Sequence, residues 1–482
     1  MTTSTGPSGL LVDGRWRAGI DPLEVVDKYS GDVAGVVARA SPADAQDAIA
    51  GAYRATAQPL EPDERARVLL GVADGLEDRT DRIVADYVAE TGFTVAEARN
   101  ELRRAVAIYR LSAQEATRLA GEQVPLGATP GGAHRLAFTT REPVGVVVAI
   151  SPFNAPLSTV AHKIGPGIAA GNAVVLKPAE ATPLSACHAV EAFLEAGLPP
   201  GYLQLLCAPG ELVGPALLGD DRVRFYTFTG STAVGRRISA GAGLARTHLE
   251  LGSNSVSIVA DDARIDEVGR VVATAGFRKA GQVCTSVQRI LVDRRRFDDL
   301  TSVLAEEVAG LRAGDPRGPD TDLGPLISSV EADRAAGWVA EAGARHRVGG
   351  ERLGGGLMAP TLLADPDAES RVLTDEIFAP VVSVVPVGDL DEAIDIVNAG
   401  RYGLQAGVFT QDLDRAFHAA RSLRVGGVMI NDTSSYHADA MPYGGVKDSG
   451  HGVEGPRYAV EDMTDPRIVV LNLRRPEREE SL

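Results

Sequence analysis

Cysteine is scarce. Only Cys187, Cys207 and Cys284 occur among 482 residues, too few for a disulfide framework and in keeping with a reducing compartment. Aromatic residues are also few, at 5 %. No block of Lys and Arg is present, and a formal net charge of −17 argues against nucleic acid as a partner. The acidity is spread along the chain and says little about a substrate. No apolar run approaches the about 18 residues that a membrane helix needs. The stretch Met1–Leu10 has no cationic segment followed by an apolar one, so no signal peptide is expected. A cytoplasmic protein with no membrane partner is the expectation, and no metal is expected.

Glycine is abundant instead, at 53 residues. Together with many short Val/Ile runs it suggests an α/β protein with tight connections. The length predicts two or three domains. Residues 1–20 read as poorly ordered apart from a hairpin at Val12-Asp-Gly-Arg-Trp16, where Asp-Gly favours a tight turn. Helices are predicted at 42–57, 62–77, 80–91 and 94–120, the last two stopping at Gly92 and Gly121. Residues 122–142 read as a small projecting hairpin. From Val144 strands (144–150, 173–176, 203–206, 224–228) alternate with helices (156–170, 183–196, 211–218, 232–240). Apolar strands crossed by helices imply a parallel sheet buried on both faces, an architecture that suits nucleotides. A second alternation starts near Asp262, with helices near 264–280, 296–312, 329–342, 391–398 and 413–421. Its strands fall near 287–292, 380–387, 405–409 and 426–430. The glycines at 349–356 mark loops around a hairpin. Arg467–Leu473 is a lone apolar run that needs a partner sheet, expected from another subunit. The charged tail 474–482 is expected to fray.

Cys284 stands in Gly-Gln-Val-Cys-Thr-Ser, on a tight loop between a helix and a strand, where small neighbours leave its sulfur approachable. A lone cysteine is more often core filler than nucleophile. Other clusters surround it in the sequence. Asn154 follows the first strand of the sheet, where an Asx turn explains it equally well. Lys177 and Glu180 follow the next strand and can both face a ribose, although a solvated loop is the plainer account. Phe228-Thr-Gly-Ser-Thr-Ala-Val-Gly235 joins a strand to a helix whose free N–H groups suit an anion, but it is not the Gly-x-Gly-x-x-Gly fingerprint. Glu250 ends a strand and suits a general base. Glu376 and Phe378 stand two apart in a stretch that reads as an ordinary loop with Phe378 in the core.

The order and spacing of these motifs are more telling than any one of them. P-F-N at Asn154, K-P-A-E at 177–180, F-T-G-S-T at 228–232, E-L-G at 250–252, G-Q-V-C at 281–284, E-I-F-A-P at 376–380 and P-Y-G-G-V-K-D-S-G at 442–450 make the chain resemble the NAD(P)-dependent aldehyde dehydrogenase superfamily. The likeness runs from about Val12 to Val470. It implies an α/β fold with three parts. These are a Rossmann-like NAD-binding domain (1–121 and 143–250), a second α/β catalytic domain (251–440) and a small β oligomerisation arm (122–142 and 460–482). A homodimer or homotetramer follows from the arm.

The resemblance also implies roles. Cys284 as thiolate attacks an aldehyde carbon, with the Asn154 amide and the Cys284 N–H stabilising the alkoxide. Glu250 activates the water that hydrolyses the resulting thioester. Ile150, Phe153, Lys177, Glu180, Gly210, Gly214, Phe228, Gly230, Ser231, Val234, Leu251, Glu376 and Phe378 are the expected cofactor contacts. Glu180 accepts from a free 2′-hydroxyl and repels a 2′-phosphate, so NAD is preferred, with NADP possible because Lys177 can pair with a phosphate. Arg104, His162, Val283, Thr285, Tyr436 and His437 are the expected substrate wall, with helix-surface roles favoured for Arg103, Arg104 and His162. Val283 and His437 stand where arginines serve anionic tails in relatives, which favours a small or medium neutral, hydroxylated aldehyde. The alternatives are a CoA-acylating relative, against which Glu250 argues, a thioesterase-like hydrolase and a catalytically silent binding protein. Cys187 and Cys207 read as packing residues.

Overall fold

The computed structural model describes residues 9–473. Helix α1 (Val95–Ala116) starts at a reciprocal cap, in which the Thr94 hydroxyl accepts from the Glu97 N–H and the Glu97 side chain accepts from the Thr94 N–H. The preceding helix stops at Gly92 in the left-handed conformation, φ 76°. Helix α1 itself does not reach Gly121, as its apolar pattern suggests, but is capped at Thr117. Gly121 instead lies against the backbone of Thr139, where a Cβ would stand 1.7 Å from the carbonyl oxygen.

The first sheet has eight strands. Its centre is β1 (Val146–Ile150), with β2 (Ala173–Lys177) on one side and β3 (Val223–Thr229) then β4 (Arg246–Glu250) on the other, all parallel. Helix α2 (Ser158–Ala169) follows β1 and α3 (Thr232–Gly241) follows β3. Leu203–Leu206 extends the sheet beyond β2. Leu10–Val12 then pairs antiparallel with it and turns into Arg15–Trp16 through Asp13 and Gly14, both at positive φ (51° and 74°). The chain from Gly9 is therefore built into the sheet rather than poorly ordered, because Leu10, Leu11 and Val12 are buried there. The same expectation for residues 1–8 lies outside the described residues. Gly450–His451 closes the opposite edge against β4. The register aligns Lys177 with Ile150, Ile150 with Phe228, and Thr229 with Glu250. The carboxyl ends of four strands thus form one rim, where open parallel sheets bind ligands.

The second sheet has seven strands. It contains β5 (Val256–Val259) and β6 (Arg289–Asp293), joined through helix α4 (Ile265–Phe277) and the loop that carries Cys284. Thr361–Ala364, Val381–Val387, Gln405–Phe409 and Gly427–Ile430 run parallel with them. Arg352–Gly354 and Leu357–Met358 form the hairpin that the glycine-rich stretch suggests.

A three-stranded sheet stands apart: Gln123–Val124, Arg135–Pro143 and β7 (Thr464–Asn472). The apolar run near 467–473 is therefore not partnerless within the chain. Strand β7 pairs with Arg135–Pro143 along its full length, Thr464 opposite Pro143 and Asn472 opposite Arg135. The run looks lone in sequence because its partner lies more than three hundred residues earlier. The other edge of β7 is unpaired among the described residues, and Ile468, Val470 and Leu471 on it are exposed. The tail 474–482 lies outside the described residues.

Candidate active site

A cavity of about 1250 Å³ is lined by strand ends of the first sheet and by the Cys284 loop, the 376–378 stretch and other loops of the second half of the chain. At one end are the strand termini of the first sheet. Lys177 closes β2, and its Nζ donates to the Pro178 carbonyl at 3.1 Å. Burial lowers its pKa, opposed by the charge of Glu180 on the exposed rim. At the β3–α3 junction Ser231 caps the helix, its hydroxyl accepting from the Val234 N–H at 3.4 Å. The remaining N–H groups of that first turn face outward without helical partners. Gly230 permits the turn because a Cβ there would stand 2.5 Å from the Phe228 ring.

Glu376 accepts from the Ser253 N–H at 2.9 Å, and burial raises its carboxyl to about 7. Phe378 is not in the core. It adopts φ 49° and turns its ring edge-on to Phe153, 5.8 Å between centroids, on the cavity wall. Ile150, Gly210, Gly214 and Leu251 complete this end. A free helix N-terminus for an anion, buried acceptors for hydroxyls and an apolar slot for rings fit a dinucleotide cofactor.

The middle of the cavity holds Cys284. Its loop leaves α4 through Lys279 and Ala280, both in the left-handed region (φ 50° and 52°), and Gly281 at φ 72°. A Cβ at Gly281 would meet the Ala379 carbonyl oxygen at 2.0 Å. Such strain persists only where surroundings impose it. Here Lys279 Nζ donates to Glu101 Oε2 and to the Asn154 carbonyl, both at 2.8 Å. The Cys284 Sγ lies 2.9 Å from the Tyr443 hydroxyl. Burial pushes the thiol up to about 11, against the pull of that hydroxyl. The Asn154 amide donates to the Gln282 carbonyl at 2.7 Å, which sets it beside the Cys284 loop.

Glu250, at the end of β4, is buried, and burial raises its pKa, helped by Glu454 and opposed by Lys163. Its Oε1 lies 3.1 Å from His248 Nε2. Glu250 is not among the lining residues, although Leu251 and Gly252 are. Beside it Lys163 bridges the Thr227 hydroxyl at 3.1 Å and Glu454, which lines the cavity, at 3.0 Å. Burial alone would raise Glu454, yet Lys163, His162 and His248 bring it down to about 2.

The far end is built from charged side chains. Arg104 of α1 faces inward, not onto the helix surface. It donates to Asp439 Oδ1 at 2.7 and 3.0 Å and to His437 Nδ1 at 3.1 Å. His162 of α2 is likewise buried, its Nε2 3.4 Å from Asp439 Oδ1. Burial, with the charges of Arg104 and His162, lowers His437 to about 3, so the ring is neutral and accepts from Arg104. These groups have metal-ligand chemistry, since His162, His437 and Asp439 converge within 4.8 Å. Arg104 already supplies the positive charge there.

Arg278 was not anticipated. It lines the cavity and is partly buried, and desolvation and Arg104 lower its pKa. Its Nη2 reaches only the Ser435 carbonyl at 3.5 Å, its Nε has no partner, and no ion pair to it occurs among the described residues. Val283 and Thr285 line the same end. Tyr436 does not: it is 48 % exposed, carried outward by a turn whose N–H bonds to the Thr433 carbonyl at 3.2 Å. Tyr443, in P-Y-G-G, takes the place expected for it. Arg103 stays on the helix surface, bonded to Asn100 at 3.2 Å.

This arrangement, a thiol between a dinucleotide-shaped slot and a polar blind end, defines a cofactor-dependent oxidoreductase acting on a small carbonyl compound. Residues 16–469 match the model of the aldehyde dehydrogenase family. The chain is 44 % identical over 468 residues to 3-sulfolactaldehyde dehydrogenase of Priestia megaterium, covering 96 % of this chain and 98 % of the relative. Two solved structures are similar at 36 % identity. NADP-dependent glyceraldehyde-3-phosphate dehydrogenase from Bacillus halodurans, complexed with NADP, superposes with a TM-score of 0.95 over 98 % of this chain and 100 % of the other. Aldehyde dehydrogenase 21 from Physcomitrella patens, complexed with succinate, gives 0.93 over 96 % and 98 %. The chain belongs to the aldehyde dehydrogenase family and oxidises an aldehyde with a nicotinamide cofactor.

Proposed function

We propose that this enzyme oxidises a short aldehyde bearing an anionic group, with NAD as acceptor, through a thioester on Cys284. The observation that carries the substrate class is Arg278, a partly buried guanidinium with no ion pair among the described residues, facing the cavity beside Arg104. A buried charge without a counter-ion is costly, and an anionic substrate is the counter-ion it lacks. The neutral aldehyde favoured by Val283 and His437 gives way to this reading, because arginines from α1 and the α4 corner supply the charge. The sulfonate of the Priestia relative's substrate is one such group.

Cys284 attacks the aldehyde carbon as thiolate, its hydroxyl neighbour Tyr443 donating to the sulfur. The Asn154 side-chain amide and the Cys284 N–H receive the charge that develops on oxygen. A bound nicotinamide supplies the hydride acceptor, and Glu376, Phe378, Lys177, Glu180 and the α3 N-terminus are the residues to hold the cofactor. Glu250 takes a proton from water, and the hydroxide releases the acid from Cys284. This base favours hydrolysis over transfer to CoA. Glu180 supports NAD over NADP. The unpaired edge of β7 with exposed Ile468 and Val470 supports a homodimer or homotetramer. Free cysteines, two of them buried, support a cytoplasmic location.

The test is cofactor reduction, followed by absorbance, with sulfonate-bearing, carboxylate-bearing and neutral short aldehydes, with NAD and NADP in parallel. Anionic aldehydes are expected to lead, and Cys284→Ala to abolish turnover. Neutral aldehydes turning over as well as anionic ones at equal concentration would reject the substrate class. Activity surviving in Cys284→Ala would reject the mechanism.

A further inference from the structure

Strand β4 places His248 and Glu250 on the same face, because side chains alternate along a strand. Both are buried, His248 1 % and Glu250 2 % exposed. The His248 Nε2 is 3.1 Å from Glu250 Oε1, while Glu250 Oε2 has no partner among the described residues. Two glycines make room for the pair. A Cβ at Gly452 would stand 2.5 Å from the His248 ring, and one at Gly444 would stand 3.3 Å from Glu250 Oε1. The carboxylate so held is absent from the cavity wall.

We propose that His248 is a positioning residue for Glu250: its Nε2–H donates to Glu250 Oε1 and holds that side chain in a seat withdrawn from the cavity. The inference rests on the reading of Glu250 as the base that activates water. The chemistry gives the seat a purpose. A carboxylate close to Cys284 opposes formation of the thiolate, so the base is best kept back until the acyl group is in place. The groups facing the pair are Lys163, Glu454 and His162, the last two on the cavity wall, His451 on the neighbouring strand, and Cys284 and Tyr443. Burial lowers His248 to about 4, so the ring is neutral and has a single N–H to give. With the carboxylate as its neighbour, that proton belongs on Nε2.

The sign of the effect follows. A donor to the ionised form lowers the pKa of Glu250. Removing it raises that pKa and frees the carboxylate to move forward. The experiment uses hydrolysis of an activated acyl ester, which acylates Cys284 and then deacylates without cofactor. In His248→Leu the acidic limb of the deacylation rate against pH is expected to move up by about one unit, with a high-pH plateau no lower than wild type. His248→Gln, which keeps a donor, is expected to restore the limb. His248→Thr, too short to reach Glu250, stands in if the leucine variant does not fold. A limb that superimposes on wild type, a lowered plateau with an unmoved limb, or a glutamine variant shifted like leucine would each overturn the proposal. Glu250→Gln separates the two readings. If it deacylates at the wild-type rate, Glu250 is not the base; if it does not, the His248 profiles decide the inference alone.

Discussion

At the cofactor end of the cavity the walls are strand termini, a helix start and glycines; at the substrate end they are long side chains reaching in from α1, α2, the corner after α4 and the 437–443 loop. The first kind of wall is made mostly of backbone, so it suffers when atoms are added. The second is made of charges that neutralise one another across elements, so it suffers when one is removed. Arg278 is the extreme case, since among the described residues it has no ion pair and reaches only the Ser435 carbonyl.

Four measurements press on that difference. The largest effect is expected for Arg278→Leu. Loss of a buried charge contact costs about 2–5 kcal/mol, so kcat/KM for an anionic aldehyde should fall by a factor of roughly 30 to 5,000, with a neutral aldehyde little changed. Equal losses for both would mean that Arg278 shapes the loop instead of meeting substrate. Next comes Gly230→Ala, which presses a methyl into the Phe228 ring. Overpacking of about 1–3 kcal/mol predicts a cofactor KM raised roughly tenfold and an unaltered aldehyde preference; a changed preference with an unchanged cofactor KM would erase the division between the ends.

The third is a pH dependence. Burial holds Glu376 at about 7. Below that pH it is protonated and loses its strength as an acceptor for ribose hydroxyls, so cofactor affinity should weaken as pH falls through 7, by up to about tenfold per unit. Glu376→Gln should flatten the profile, and a slope that survives in that variant would assign it to another group. The smallest effect is expected at the solvent-facing rim: Glu180→Gln should narrow the NAD-over-NADP ratio by a few fold at low salt and less at high salt. A ratio that does not move would leave the preference to the backbone.

The same division explains what could be read in advance. The cofactor end was legible because each of its parts is a short local motif at the end of a strand, and the parallel sheet brings those ends together by topology alone. The residues around Phe378 read alone as a loop with that ring in the core, and only the resemblance points it at a cofactor, because the positive φ that turns it to the cavity leaves no mark in the sequence. At the other end, Arg104 and His162 read as surface residues because a helix that is polar on one side is usually solvated there. Arg278 could not be found, since what distinguishes it is a missing partner, and absence of contact is a property of three dimensions. Tyr436 is expected on the substrate wall, but the turn at Thr433 sends it outward, and Tyr443 lines the cavity instead. The strand β7 lost its partner to sequence distance, and Gly121 was taken for a helix stop when it serves a close backbone crossing.

Helix α1 contributes both Glu101 and Arg104, one turn apart on a single face. Glu101 grips Lys279, and through it the strained corner that aims Cys284, while also accepting from the Ser158 N–H and hydroxyl at 3.0 and 2.7 Å. Arg104 reaches the substrate end from the same rigid rod. Any drift of that rod displaces the Cys284 loop and the Arg104 guanidinium together. Changes that spare the Cys284 sulfur are thereby steered away from α1 and equally away from Tyr443, whose hydroxyl lies 2.9 Å from it.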